Sequence, residues 1–219
     1  MKVNLIKSYL KKFWNFIWYD DSALSWIVNI ILAFVLIKFV IDPGLGFILG
    51  TDYPVVAVVS ESMEHNENFN SWWSNSKKWY EQNGITEEQF SLFNFKNGFN
   101  KGDIMVLMGE KPADIQIGEI IVFSSPAKPD PIIHRVVKKT KKDEYYIFTT
   151  KGDNHITNPS PIKDRISGLD ETEIKESQIL GTAGFRIPFI GYIKIGFVRA
   201  VCYDPIEKII KYVNPNLRC

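Results

Sequence analysis

Cysteine is scarce in this chain: Cys202 and Cys219 are the only two in 219 residues, so no disulfide framework can be built. Neither a C-x-x-C spacing nor a paired His/Cys spacing occurs, which leaves no signature of a metal site. An excess of one charge is also missing, since 26 Lys and Arg face 25 Asp and Glu. A formal net charge of +1 argues against a broad nucleic-acid-binding face. There are no internal repeats. Hydrophobic residues make up 45% and charged residues 23%, the balance of a globular chain rather than a disordered one. The length suits one domain, with room for a small appendage.

Long apolar runs are scarce too, and the single one matters. Ser22 to Ile41 reads SALSWIVNIILAFVLIKFVI, interrupted only by Asn29 and Lys38. As a helix it would span about 30 Å, the thickness of a bilayer's hydrocarbon core. Lys38 lies near one end, where it can snorkel to the interface. Lys2, Lys7, Lys11 and Lys12 precede the run, whereas Asp42, Asp52, Glu61, Glu64 and Glu67 follow it. The positive-inside tendency then places the N-terminus in the cytoplasm and the rest outside, as a single-pass protein of the cell membrane. No small-x-small site follows the run, so it reads as a retained anchor rather than a cleaved signal sequence. Residues 5 to 18 mix apolar and aromatic side chains with lysines and read as an interfacial amphipathic helix.

The expected organisation is an interfacial segment over 1–21, an anchor over 22–41, a β domain over 42–203 and a tail over 204–219. Gly44 to Gly50 reads as a turn-rich bridge. Val55 to Val59 is a buried strand candidate that delivers Ser60 and Ser62 to the domain edge, close to the membrane. Residues 66–100 carry many aromatics and read as a helical insertion, with Thr86 and Gln89 as a capping box. Its aromatics are expected to pack on the domain or the headgroup belt rather than contact substrate. Further strands are expected at 104–108, 119–123, 132–137, 145–150 and 179–185. Lys138 to Glu144 reads as a solvated hairpin loop, Gly184 to Tyr192 as a turn, and Asp204 to Val213 as a short amphipathic helix. Ile187 to Val201 is too short and too charged for a second span.

A serine, a histidine and an aspartate, each set in or at the end of a β-like run, are the parts of a serine hydrolase. The chain has three histidines. His65 follows Ser62 closely and is expected to point elsewhere; His155 falls in a polar loop; His134 sits inside a strand, where packing would fix its ring. The imidazole's partner would be an acid, with Asp153, Asp164 and Asp170 as candidates. Asp153 could instead bond the backbone of its own turn. The Ser60 hydroxyl and the Ser62 N–H could form an oxyanion hole.

Ser60-Glu61-Ser62-Met63, Lys101-Gly102-Asp103-Ile104, Gly118 to Phe123, His134-Arg135-Val136-Val137 and Thr150-Lys151-Gly152-Asp153-Asn154 occur in an order that resembles type I signal peptidase. The histidine of the His-Arg-Val element resembles the archaeal and endoplasmic-reticulum branch, because the bacterial branch carries lysine there. The resemblance covers roughly residues 22 to 193. It implies Ser62 as nucleophile, Ser60 in the oxyanion hole, His134 as general base, Asp153 as the acid of Gly-Asp-Asn and Asp164 as a second aspartate. It implies a mainly β signal-peptidase-like fold with an N-terminal transmembrane helix and a small helical insertion, working without a metal or organic cofactor. The implied partners are preprotein signal peptides, the lipid bilayer and the secretion translocon. His65 stands where the family usually has proline, and the insertion at 66–100 separates elements that normally lie close in sequence. A self-processing serine protease or an inactive membrane-tethered β module would be the alternatives.

Overall fold

The computed structural model describes residues 2–189, and it forms two compact units divided between Ile48 and Leu49. The expected tail, the region of the excluded second span beyond Phe189, and both cysteines lie outside the described residues.

The first unit is helical. Helix α1 (Lys2–Tyr19) is followed by α2 (Ala23–Leu36), a π-turn (Ile37–Ile41) and α3 (Asp42–Leu49). Ser22 caps α2 by accepting from the Ser25 N–H. The two polar side chains early in α2 serve α1: Ser25 Oγ donates to Phe16 O (2.7 Å) and Asn29 Nδ2 to Ile17 O (3.0 Å). These are carbonyls of the last turn of α1, which have no partner within their own helix. From Ala23 to Leu49 the helix runs 27 residues, long and apolar enough to cross a membrane.

The bridge expected over Gly44–Gly50 is therefore mostly helix. The π-turn and Pro43 explain the difference. Proline is tolerated in a first helical turn, where its absent N–H would have had no partner, and a π-turn resets the ladder just before it. Asp42 at the start of α3 suits the helix dipole.

The second unit is mainly β. Its strands are β1 (Val55–Ala57), β2 (Ile104–Met108), β3 (Ile120–Ser125), β4 (Lys128–Lys142), β5 (Tyr145–Lys151), β6 (Lys163–Asp164), β7 (Leu169–Asp170), β8 (Ile174–Lys175) and β9 (Ile179–Ile187). Seven of them form an antiparallel sheet in the order β1-β2-β9-β3-β4-β5-β8, and β6 pairs with β7 as a separate hairpin. Strand β3 is an unbroken apolar run because both of its faces are covered. Ile120 and Val122 join a core with Val58, Met63, Met105 and Leu107, while Ile121 and Phe123 join another with Ile132, Val136, Phe148 and Leu169. Lys138 to Lys142, expected in a loop, extend β4, and the hairpin turns at Asp143-Glu144 with Asp143 at φ 51°. Cross-strand pairing continues to Lys142↔Tyr145, so the lysines are accommodated within the ladder, with Lys139 donating to the Ala113 and Ile115 carbonyls.

The insertion is helical, with α4 (Phe69–Gln82) and α5 (Glu87–Ser91). The Thr86–Gln89 capping box is present in both directions. The aromatics form their own core of Trp72, Trp73, Tyr80, Ile85 and Phe90 against Val137 of β4.

Candidate active site

Strand periodicity divides β4 into two chemistries. Successive side chains point to opposite sheet faces. His134 shares a face with Ile132 and Val136, and Arg135 shares the other with Ile133 and Val137. Everything else about the site follows from that split.

On the His134 side lies a cavity of about 490 Å³ lined by Ser60, Ser62 and His134, with Ala57, Val59, Ile132, Ile162 and Leu169 among its apolar walls. Ser60 Oγ and Ser62 Oγ are hydrogen-bonded at 3.0 Å. His134 is buried, and its Nδ1 is bonded to Glu171 Oε1. That bond commits Nδ1 and leaves Nε2 as the ring's free nitrogen. Three of the expected site residues, Ser60, Ser62 and His134, are thus gathered at one cavity.

The expected aspartates are elsewhere. Asp153 lies on the Arg135 side, fully buried, and cannot act as the carboxylate at His134. Its Oδ2 accepts from Arg135 Nη2 (2.6 Å), both oxygens accept from Arg135 Nε (3.0 and 3.1 Å), and Oδ1 accepts from Tyr80 Oη (3.0 Å). His65 Nε2 lies 3.5 Å from Oδ2. Burial pushes the Asp153 carboxyl upward, but the Arg135 charge and the bonds from His65 and Arg135 outweigh it and hold it well below the usual carboxylate range. The rest of the guanidinium is spent on the Asn94, Gly118 and Phe95 carbonyls. Asp164 is exposed, and its oxygens accept from the Ile166 and Ser167 N–H groups in the β6–β7 turn. Asp170 is bonded to Thr172 and Lys163. The residue that sequence reasoning missed is Glu171, completely buried, in the turn directly after β7 and two positions beyond Leu169.

Asp153 and Asn154 support the serine through the backbone instead. Asn154 N donates to Ser62 O (2.9 Å), Asn154 Nδ2 to Glu61 O (3.0 Å), and Asp153 N contacts Met63 Sδ (3.4 Å). Gly152 is needed here for close approach: a Cβ would sit 2.7 Å from Ser62 O and 2.7 Å from Asn158 Cγ. The insertion is tied to the same loop, because Trp72 Nε1 donates to Asp153 O (2.9 Å). His65 points into this network, as its expected divergence from Ser62 requires, and stacks on Trp72 with ring centroids 3.8 Å apart. Lys151 is buried over the Trp79 and Tyr80 rings and donates to Gly152 O; burial lowers its ammonium to about 8, against the pull of Asp153 and Glu171. Burial, reinforced by the Asp153 charge, pushes the Tyr80 phenol well up. Among the described residues, no three His, Cys, Asp or Glu side chains converge as metal ligands.

In this mainly β domain two serines and a histidine line one cavity, and the histidine is bonded to a buried carboxylate. No protein-family model matches the chain. Among curated proteins it is similar to the signal peptidase complex catalytic subunit sec11 of Neurospora crassa, 34% identical over 98 residues, which are 44% of this chain and 55% of that one. The Schizosaccharomyces pombe sec11 subunit is 28% identical over 169 residues, 69% of this chain and 70% of that one. The human signal peptidase complex catalytic subunit SEC11C is 28% identical over 156 residues, 69% and 61% of the two chains. The match thus spans just over half of the Neurospora relative. These relatives are named as catalytic subunits of the signal peptidase complex, the endoplasmic-reticulum-type branch of signal peptidase I, which is the branch that the His-Arg-Val element resembles.

Proposed function

We propose that the chain is a membrane-bound serine endopeptidase that removes N-terminal signal peptides from preproteins on the far side of the membrane from its N-terminus. The observation that carries this reading is the placing of Ser62 and His134 on one cavity beside an edge strand, in a homologue of signal peptidase catalytic subunits. Ser62 Oγ is the nucleophile, and His134 takes its proton through Nε2 as it attacks the scissile carbonyl. The Ser60 hydroxyl and the Ser62 N–H receive the developing oxyanion. The acyl-enzyme is then hydrolysed by water activated by the same imidazole.

Strand β1 has β2 on one side, and as an outer strand of the sheet it offers its other edge to an extended peptide, which would add by main-chain hydrogen bonds. Ala57, Val59 and Ile132 would leave shallow room for small side chains before the cut and clash with large ones. The 27-residue apolar helix would anchor the domain where signal peptides emerge from the translocon. Resemblance to the endoplasmic-reticulum branch favours that membrane over the cell membrane expected from sequence. The relatives are named as subunits of a complex, which favours accessory subunits beside this chain. The test is cleavage of a preprotein by the purified full chain in detergent. Ser62→Ala should abolish processing with an unchanged melting temperature, and normal processing by that variant would exclude the assignment.

A further inference from the structure

Glu171 is a costly residue for a core. Its carboxylate is fully buried; among the described residues its one partner at salt-bridge distance is His134, with the Lys151 charge farther off. Burying a carboxylate is costly, and one set against an imidazole at a cleft points to a role in chemistry rather than in stability. Its two oxygens also do different things. Oε1 bonds His134 Nδ1 and lies 3.4 Å from Thr150 Oγ1, while Oε2 accepts from the Ile162 N–H at 2.7 Å. The Glu171 main chain is clamped as well, because its N–H donates to Ile162 O (2.8 Å) and its carbonyl accepts from Thr150 N (2.9 Å). Residues 162–171 thus close into a loop around the β6–β7 hairpin, and the Ile162 and Leu169 side chains of that loop line the cavity.

We propose that Glu171 is a positioning residue with two outputs: one oxygen holds His134 in the Nδ1–H tautomer, and the other tethers the Ile162–Leu169 wall of the substrate cleft. This rests on the Ser62–His134 reading. The proton on Nδ1 leaves Nε2 as an acceptor for the Ser62 proton, and the carboxylate stabilises the imidazolium that forms. Because the same side chain fixes the cleft wall, the geometry of the base and the fit of the substrate are set together.

Three variants separate the two outputs. Glu171→Gln keeps the size, and its amide oxygen can still accept from Ile162 N, but its NH2 faces Nδ1 and drives the imidazole proton to Nε2. Preprotein cleavage should then lose roughly 10³–10⁴-fold in kcat, with KM within about threefold of wild type. Glu171→Ala also frees the Ile162 N–H, so KM should rise beyond that range as kcat falls. Glu171→Asp restores a carboxylate on a shorter stem and should recover part of the kcat lost in Glu171→Gln. Independently of folding in any variant, ¹⁵N NMR of the histidine-labelled wild-type chain should show His134 with its proton on Nδ1. An Nε2–H tautomer in the wild type, or Glu171→Gln cleaving within about tenfold of wild type, overturns the proposal. Ser62→Ala keeps the two readings apart: if it is dead while Glu171→Gln is normal, only the role of Glu171 fails, whereas an active Ser62→Ala sinks the underlying function.

Discussion

Asp153 offers the sharpest choice between chemistry and architecture. Its motif resembles the place of a catalytic acid, yet its carboxylate faces Arg135, Tyr80 and His65. Asp153→Asn keeps the shape and removes the charge. It leaves the fully buried Arg135 guanidinium with carbonyl partners but no counter-ion. Breaking a buried pair from one side costs about 3–5 kcal/mol, against a total stability of about 5–15 kcal/mol for a typical domain. With a urea dependence of about 2 kcal/mol per molar, the unfolding midpoint should fall by about 2 M. Intrinsic fluorescence of the full chain in detergent follows this, since Trp72 and Trp73 are buried against the same network.

Acid provides a second reading of the same variant. The folded carboxyl lies below its ordinary value, so its contribution is present above the unfolded pKa of about 4 and is lost as pH falls below that value. Wild-type stability should therefore decline over the acid range more steeply than that of Asp153→Asn. An unchanged urea midpoint combined with lost cleavage would refute this reasoning, because it would make Asp153 part of the reaction rather than of the frame.

Two other predictions follow from the same loop. Gly152→Ala forces a Cβ against Ser62 O, so it should lower kcat by about 10²-fold and also lower the unfolding midpoint; wild-type cleavage by that variant would show that the serine loop tolerates displacement. Lys151 is charged at a cost, since its value is depressed from 10.5 to about 8; the unfolded chain binds more protons between those limits, and stability should rise with pH across them. Relative to Lys151→Met, which cannot titrate, the wild type should gain about 3 kcal/mol between pH 7 and pH 11, measured by urea unfolding at each pH.

Much of the fold was legible because it obeys short-range rules. The span, the strands at 104–108 and 145–150 and the Thr86 capping box all rest on run length, alternation or a three-residue spacing. The errors arose where one local rule overrode another. Pro43 and three glycines read as a bridge, yet a π-turn lets the helix continue through them to Leu49. The lysines after Val137 read as a loop, yet half-exposed β-ladder positions accept long charged side chains as readily as a turn does.

The site was legible only as far as the chain is local. Ser60 and Ser62 lie in the turn that follows β1 and His134 lies within β4, and the three line one cavity. The acid could not be chosen, since that depends on which face of β4 each partner meets. Adjacent residues in a strand serve opposite faces, so whatever carboxylate pairs with Arg135 is barred from His134. The aspartate of the Gly-Asp-Asn turn enters on the Arg135 side, where Tyr80 and Trp72 of the insertion also meet its loop. The face of His134 is then left to the Leu169–Glu171 segment, where the turn after β7 carries a buried glutamate two residues from the cavity-lining Leu169. Nothing in the spacing from 134 to 171 announces that meeting. It is created by the pairing of β4 with β5 and by the hydrogen bond from Thr150 N to Glu171 O, both of which are properties of the folded sheet.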